Sequence, residues 1–221
     1  MDFSPLWISF KIALFATLIT FVLGVFAAWA AGNAKKTKPF IDALLSLPLV
    51  LPPTVTGFIL LILFGRTSVL GNFFMERGIN LLFTWQGGVC AAVVISFPVM
   101  YRTLRGAFDQ VDETILQAAR TLGMSEFKIF RKILLPLSRP GVAAAVVLSF
   151  ARALGEFGAT IMVAGNIPGK TQTMALAVYT AMQAGNRELA FIWVGIIFAI
   201  SLVILLLMNL FFYRFSYRRD S

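Results

Sequence analysis

Long apolar runs alternate with short charged ones along this chain, and the length of each run limits what it can form. Crossing about 30 Å of hydrocarbon takes roughly 20 apolar residues in a helix. Runs of that size cover Leu6 to Ala31, Phe40 to Phe64, Pro140 to Ala164 and Leu189 to Tyr213. A fifth, Thr84 to Tyr101, is shorter and carries Gly87, Gly88 and Pro98, and it counts as a span as well. The pattern predicts an all-α integral membrane protein with about five transmembrane helices, one membrane domain over 1–221. The first run is too long for the core of a secretory leader, and Asp2 stands where a leader has a basic residue.

Composition agrees: 59% of residues are hydrophobic and the mean hydropathy is +0.86, against roughly 45 to 50% apolar residues in soluble domains. The net charge of +9 becomes informative once the cations are placed relative to the runs. One side collects Lys35, Lys36, Lys38, the segment 102–139, Arg214, Arg218 and Arg219. The other has Arg66, Arg77, Lys170 and Arg187. The positive-inside rule puts the rich side in the cytoplasm, the amino terminus outside and the carboxyl terminus inside. This distribution accounts for most of the basic charge without nucleic acid. Absence of histidine removes imidazole metal sites and Ser-His triads, and the single Cys90 lies in an apolar run, where no internal disulfide is possible.

The segment 102–139 interrupts the apolar pattern with a helix-turn-helix of local signals. Asp112 is placed to cap a helix through Leu122, Gly123 to end it in a left-handed conformation, and Ser125 to cap a second helix that Pro136 stops. Ile115, Ala118, Ala119 and Leu122 line one helix; Phe127, Phe130, Ile133 and Leu134 line the other. Arg120, Lys128, Arg131 and Lys132 form the polar margin. Such a hairpin either plugs into a partner's groove or packs under the bundle as a connection. Tethering to the membrane at both ends disfavours a DNA-reading role.

The hairpin resembles the EAA loop in permease subunits of ABC importers: Glu-Ala-Ala, three residues, Gly, nine residues, then Ile, any residue, Leu-Pro. Ala118, Ala119, Gly123, Ile133, Leu135 and Pro136 match, and Gln117 replaces the glutamate. The segments LPLVLPPTVTGF (47–58), QAARTLG (117–123) and RALGEFGATIMVAGNIPGKTQT (152–173) are together similar to molybdate permease subunits, with sulfate permeases as near relatives. The resemblance implies a type I ABC importer permease fold in the bacterial inner membrane, translocating molybdate or tungstate by alternating access. It implies a homodimer with two cytoplasmic ATPase subunits that dock on the hairpin, and an extracytoplasmic oxyanion-binding protein. No cofactor is expected on this chain, and ATP and magnesium belong to the ATPase. The chain has no G-x-x-x-x-G-K-[ST] and is not expected to be an enzyme. Energised import suits the cargo, since a dianion moving inward against 100 mV costs about 4.6 kcal/mol. A secondary transporter or channel and a membrane enzyme are the competing classes; the loop pattern argues against the former, and the lack of histidine and of a carboxylate cluster against the latter.

Polar groups within the fourth run are the remaining candidates. At 100° per residue Ser149, Arg152, Glu156 and Thr160 fall within about an 80° arc of one helix. Arg152 and Glu156, four residues apart, read either as a mutual ion pair or as groups that touch the translocating anion. Ala151, Gly155, Gly158 and Ala159 suit close packing at a subunit interface. Pro48, Pro52 and Pro53 kink the second run or free carbonyls to line a cavity, and Thr54 and Thr56 bond back to the helix or meet an oxyanion. Residues Gln172 to Gly185 read as a surface helix at the outer mouth, a docking place for the binding protein.

Overall fold

A computed structural model of the protein describes residues 2–33 and 38–217, and for 33, 38 and 211–217 the backbone alone. Lys35, Lys36, Arg218 and Arg219, which the charge distribution invoked, lie outside the described residues, as do the side chains of Lys38 and Arg214. The described residues fold entirely into helices joined by short connections, with no strand among them.

Helix α1 (Ser4–Asn33) and helix α5 (Trp85–Asp109) form the axis of the bundle. Small residues let them approach: Ala13, Ala16 and Ala28 of α1 and Ala92 of α5 are fully buried. A Cβ on Gly24 would lie 2.6 Å from Met100 Cγ, and one on Gly88 would lie 2.8 Å from Ile12 Cδ1. The shortest apolar run is thus the central helix, and it continues to Asp109, beyond the predicted end at Tyr101. Gly87 and Gly88, which weaken its hydropathy, are positions of close approach, and a Cβ on Gly87 would lie 2.1 Å from Leu81 O. Thr84 opens α5 by accepting from the Gly87 N–H at 3.2 Å.

The second run is two helices, not a kinked one. Helix α2 (Lys38–Val50) and helix α3 (Pro53–Phe64) meet at 104°. Pro48 is absorbed inside α2. The pair Pro52–Pro53 is not, because the residue before a proline is driven out of the helical region, and Pro52 is extended at φ −53°, ψ 134°. Helix α4 (Val69–Glu76) follows, capped by Ser68, which accepts from the Gly71 N–H at 2.8 Å. Helices α6 (Glu113–Thr121), α7 (Glu126–Ile129) and α8 (Leu135–Leu137) build the hairpin.

The fourth run is also divided. Helix α9 (Arg139–Leu154) ends, residues 155–157 are non-helical, and helix α10 (Gly158–Ala164) begins. The single-helix arc expected for Ser149, Arg152, Glu156 and Thr160 is therefore corrected: the first two lie on α9, Glu156 in the break, and Thr160 on α10. Helix α10 lies on α3 at glycine contact. A Cβ on Gly158 would be 3.0 Å from Pro53 Cβ, and one on Gly57 would be 2.7 Å from Ala159 Cα. Gly158 and Ala159 thus serve packing within the chain, whereas Ala151 and Gly155 are exposed. Gly57→Ala is expected to lower stability in detergent by about 1 to 3 kcal/mol, because backbone blocks the added methyl. Gly106→Ala, where no atom lies within 4 Å of the new carbon, is the tolerated control in the same thermal unfolding experiment.

Helix α11 (Met174–Gln183) forms where a surface helix was expected, with one face packed into the bundle and Tyr179, Met182 and Gln183 exposed. Met174, Leu176, Ala177 and Ala181 are buried, and the Met174 N–H donates to Ser9 Oγ at 2.8 Å. The bundle takes the apolar face that carries these four residues. Helix α12 (Arg187–Tyr217) closes the chain, apolar around most of its circumference and anchored through Ala190 and Trp193. Helices α1, α5 and α12 are each long and apolar enough to cross a bilayer; two further crossings are possible only as bent pairs.

Candidate functional site

The two broken runs meet break against break, which places Pro53 and Thr54 beside Gly158. Non-helical backbone at membrane depth is tolerated where protein buries it or water lines it. Four residues singled out in the sequence occupy this region. Arg152 Nη1 donates to Glu156 Oε2 at 2.7 Å, so the ion pair forms across the helix end. Glu156 is 2% exposed, and its other oxygen accepts from the Ala159 N–H at 2.8 Å, capping α10. One carboxylate thereby holds the guanidinium and starts the next helix. The hydroxyls of Ser149 and Thr160, together with Thr56 on α3, are buried without a hydrogen-bond partner. Thr56 does not bond back to its own helix, and Thr54 is exposed.

The second group of residues forms the hairpin. Asp112 accepts from the Thr114 N–H at 2.9 Å and from the Thr114 hydroxyl, and these bonds hold its carboxyl below the usual range. At the turn, Gly123 N–H donates to Arg120 O and Met124 N–H to Ala119 O, with Gly123 at φ +76°. This is the paired closure of a left-handed helix end. Ser125 occupies the next cap position with extended backbone, but its side chain makes no capping bond. Arg120 replaces it as the fastener, reaching Glu126 at 2.8 Å and Glu113 at 2.9 Å. The hydrogen bonds from Arg120 depress the Glu126 carboxyl, and Glu126 followed by Glu113 raises the guanidinium.

Pro136 does not stop the second arm. The chain widens into a π-helical turn over Phe130–Leu134, with the Leu135 N–H bonded to Phe130 O, and helix continues to Leu137. A proline lacks an N–H and crowds the carbonyl four residues back, and the wider turn accommodates it. The buried stripe also differs from the expected one: Leu116, Ala119 and Ile129 form the hairpin's own core with Met124 and Ile133 packed on it. Ala118 and Gln117 face solvent, as do Ile115, Leu122 at 82% and Phe127 at 62% exposure. Phe130 is turned inward, its ring 5.4 Å from Trp29 and 6.1 Å from Phe108, which moors the arm to α1 and α5.

Three polar contacts went unread in the sequence. Lys11, inside the first run, has its ammonium 3.6 Å from the ring centre of Trp85. Tyr101 donates to Asp42, and Arg102 Nε donates to Ser46 Oγ at 2.8 Å, clasping α2 to α5. Their only sequence signal is a charge or hydroxyl set into an apolar run.

The fold is an all-helical bundle in which two apolar runs are broken and a polar hairpin is stapled by Arg120. The family described as "binding-protein-dependent transport system inner membrane component" matches residues 20–219. The chain belongs to this family and is a multi-pass inner-membrane component. It is 42% identical over 208 residues to the putative molybdenum transport system permease protein YvgM of Bacillus subtilis, covering 92% of this chain and 90% of that one. It is 43% identical to the molybdenum transport system permease protein ModB of Escherichia coli K12, covering 85% and 82%. Identity to the sulfate transport system permease protein CysT of Salmonella typhimurium is 34%, over 93% and 75%. In fold it matches a bacterial ABC transporter involved in import of the acidic polysaccharide alginate, with a TM-score of 0.79 at 15% identity, covering 96% of this chain and 78% of that one.

Proposed function

We propose that this chain is the membrane-spanning subunit of an ATP-driven importer that carries molybdate, or tungstate of like size and charge, into the cytoplasm by alternating access. The observation that carries the reading is the 42 and 43% identity to molybdenum permeases over most of the chain, against 34% to the sulfate permease. In this reading two copies assemble with two cytoplasmic ATPase subunits, which hold ATP and magnesium, and receive cargo from an extracytoplasmic oxyanion-binding protein. The chain itself hydrolyses nothing.

The hairpin is the coupling element. Ile115, Leu122 and Phe127 are apolar side chains exposed on a segment otherwise dressed in charge, and an exposed apolar patch with a polar rim fits a protein groove. Gln117, Ala118, Ala119, Gly123, Ile133, Leu135 and Pro136 shape and present that patch. Glutamine at 117 leaves the fold of the hairpin intact and brings no carboxylate to the contact. The reading is tested by copurification with the ATPase and by ATP-driven uptake of labelled molybdate into proteoliposomes. Excess tungstate is expected to compete and sulfate to compete weakly. Absence of an associated ATPase, or uptake driven by an ion gradient without ATP, sinks it.

Sidedness gives an independent test. In a Cys90→Ala background, Lys36→Cys, Ser125→Cys and Ser216→Cys are each expected to react with impermeant thiol reagents from the cytoplasm alone, and Lys170→Cys from outside. The cation distribution motivates this pattern. Labelling of Ser125→Cys from outside would end the coupling assignment, since no ATPase reaches that side.

A further inference from the structure

Arg152 has surroundings that the chain alone does not complete. It lies about 20 Å along α9 from Arg139 at 1.5 Å per residue, deep in an apolar helix, yet its side chain is 33% exposed. Among the described residues its only hydrogen bond runs from Nη1 to Glu156, so Nε and Nη2 are left to donate elsewhere. Glu156 cannot swing round to cover them, because it is buried and its second oxygen caps α10. Ala151 and Gly155, flanking Arg152 in the chain, are exposed and small, which leaves room for approach. A guanidinium at this depth is not stable against lipid; it faces water or protein. The buried hydroxyls of Ser149, Thr56 and Thr160 are closed off from the same approach.

Resting on the importer reading above, we propose that Arg152 is the residue of this chain that contacts the tetrahedral oxyanion in the transport path between two copies, while Glu156 positions the guanidinium from behind. Two parallel N–H donors in a rigid plane match two oxygens of such an anion, as a lysine ammonium does not. One fork from each copy meets the two charges of the cargo. Glu156 offsets part of the positive charge, and that suits passage, because a conducting site must release what it admits.

The test uses the complete transporter with its ATPase and binding protein in proteoliposomes, scored by labelled molybdate uptake. Arg152→Gln combined with Glu156→Gln removes both charges and strands neither; uptake is expected to fall at least tenfold while the melting temperature stays near wild type. Arg152→Lys is expected to fall between the two. A second measurement uses Arg152→Cys with Glu156→Gln and Cys90→Ala: a thiol reagent that adds an ammonium group restores uptake several-fold, and one that adds a sulfonate does not. Wild-type uptake by the charge-free double variant overturns the contact, as does equal response to the two reagents. Failure of both variants to assemble also overturns it, by making the pair structural. If the wild-type transporter itself takes up no molybdate, the importer reading falls; if it does and the variants match it, only the contact at Arg152 falls.

Discussion

Gly123→Val is expected to leave the membrane bundle folded and dimeric while its affinity for the ATPase drops by about tenfold and substrate-stimulated hydrolysis and uptake are lost. Gly123 sits at φ +76°, where a side chain strains the backbone by about 1 to 2 kcal/mol. No atom lies within 4 Å of the added carbon, so the effect is conformational and not a clash. The strained turn relaxes by re-aiming one arm against the other. Phe130 is moored to Trp29 and Phe108, so relaxing the turn shifts α6, with Ile115, and the adjoining Leu122 relative to Phe127. Only about 1.4 kcal/mol of lost complementarity is needed for a tenfold loss of affinity. Copurification followed by an ATPase assay in liposomes reads the result. Wild-type ATPase binding and transport in this variant would reduce the hairpin to a connection.

Glu156→Gln is expected to destabilise the folded protein by about 2 to 3 kcal/mol, less than the full cost of breaking a wholly buried pair because Arg152 is a third exposed. The glutamine oxygen still accepts from the Ala159 N–H, so α10 keeps its cap; the loss comes from a guanidinium without its countercharge. Anion preference is expected to persist, since the carboxylate faces the interior and not the open side of Arg152. Thermal unfolding in detergent, run beside uptake with molybdate and sulfate, checks both halves. Normal stability with altered anion preference would show that Glu156 itself meets the cargo.

The hairpin was largely legible because its signals are short-range. A capping aspartate, a glycine able to take positive φ, and the residues between them act within one or two helical turns, and Asp112 and Gly123 do what their chemistry predicts. The side-chain burial on the same hairpin was not legible. Ile115 and Leu122 share an apolar stripe in the sequence with Ala119, yet only Ala119 is buried, and Leu116 takes the inner place. Which edge of a wide apolar stripe turns inward depends on the second arm, and the π-turn that rotates that arm comes from Pro136.

The sequence by itself determined a helical membrane protein, its apolar runs and its polar hairpin, because span length, capping and turn conformation are set by local chemistry. Tertiary structure decided how the runs break and meet. Pro52–Pro53 announced an interruption, but a turn of 104° takes its size from what α3 packs on. Nothing in RALGEFGA announced that α9 stops at Leu154; that break exists because Gly158 and Gly57 let α10 lie on α3 and Glu156 caps the restart. In an apolar run every face is hydrophobic, so periodicity cannot tell lipid from a neighbouring helix. That choice belongs to steric fit between helices distant in the chain, and it is what places Arg152 at an open face and Glu156 behind it.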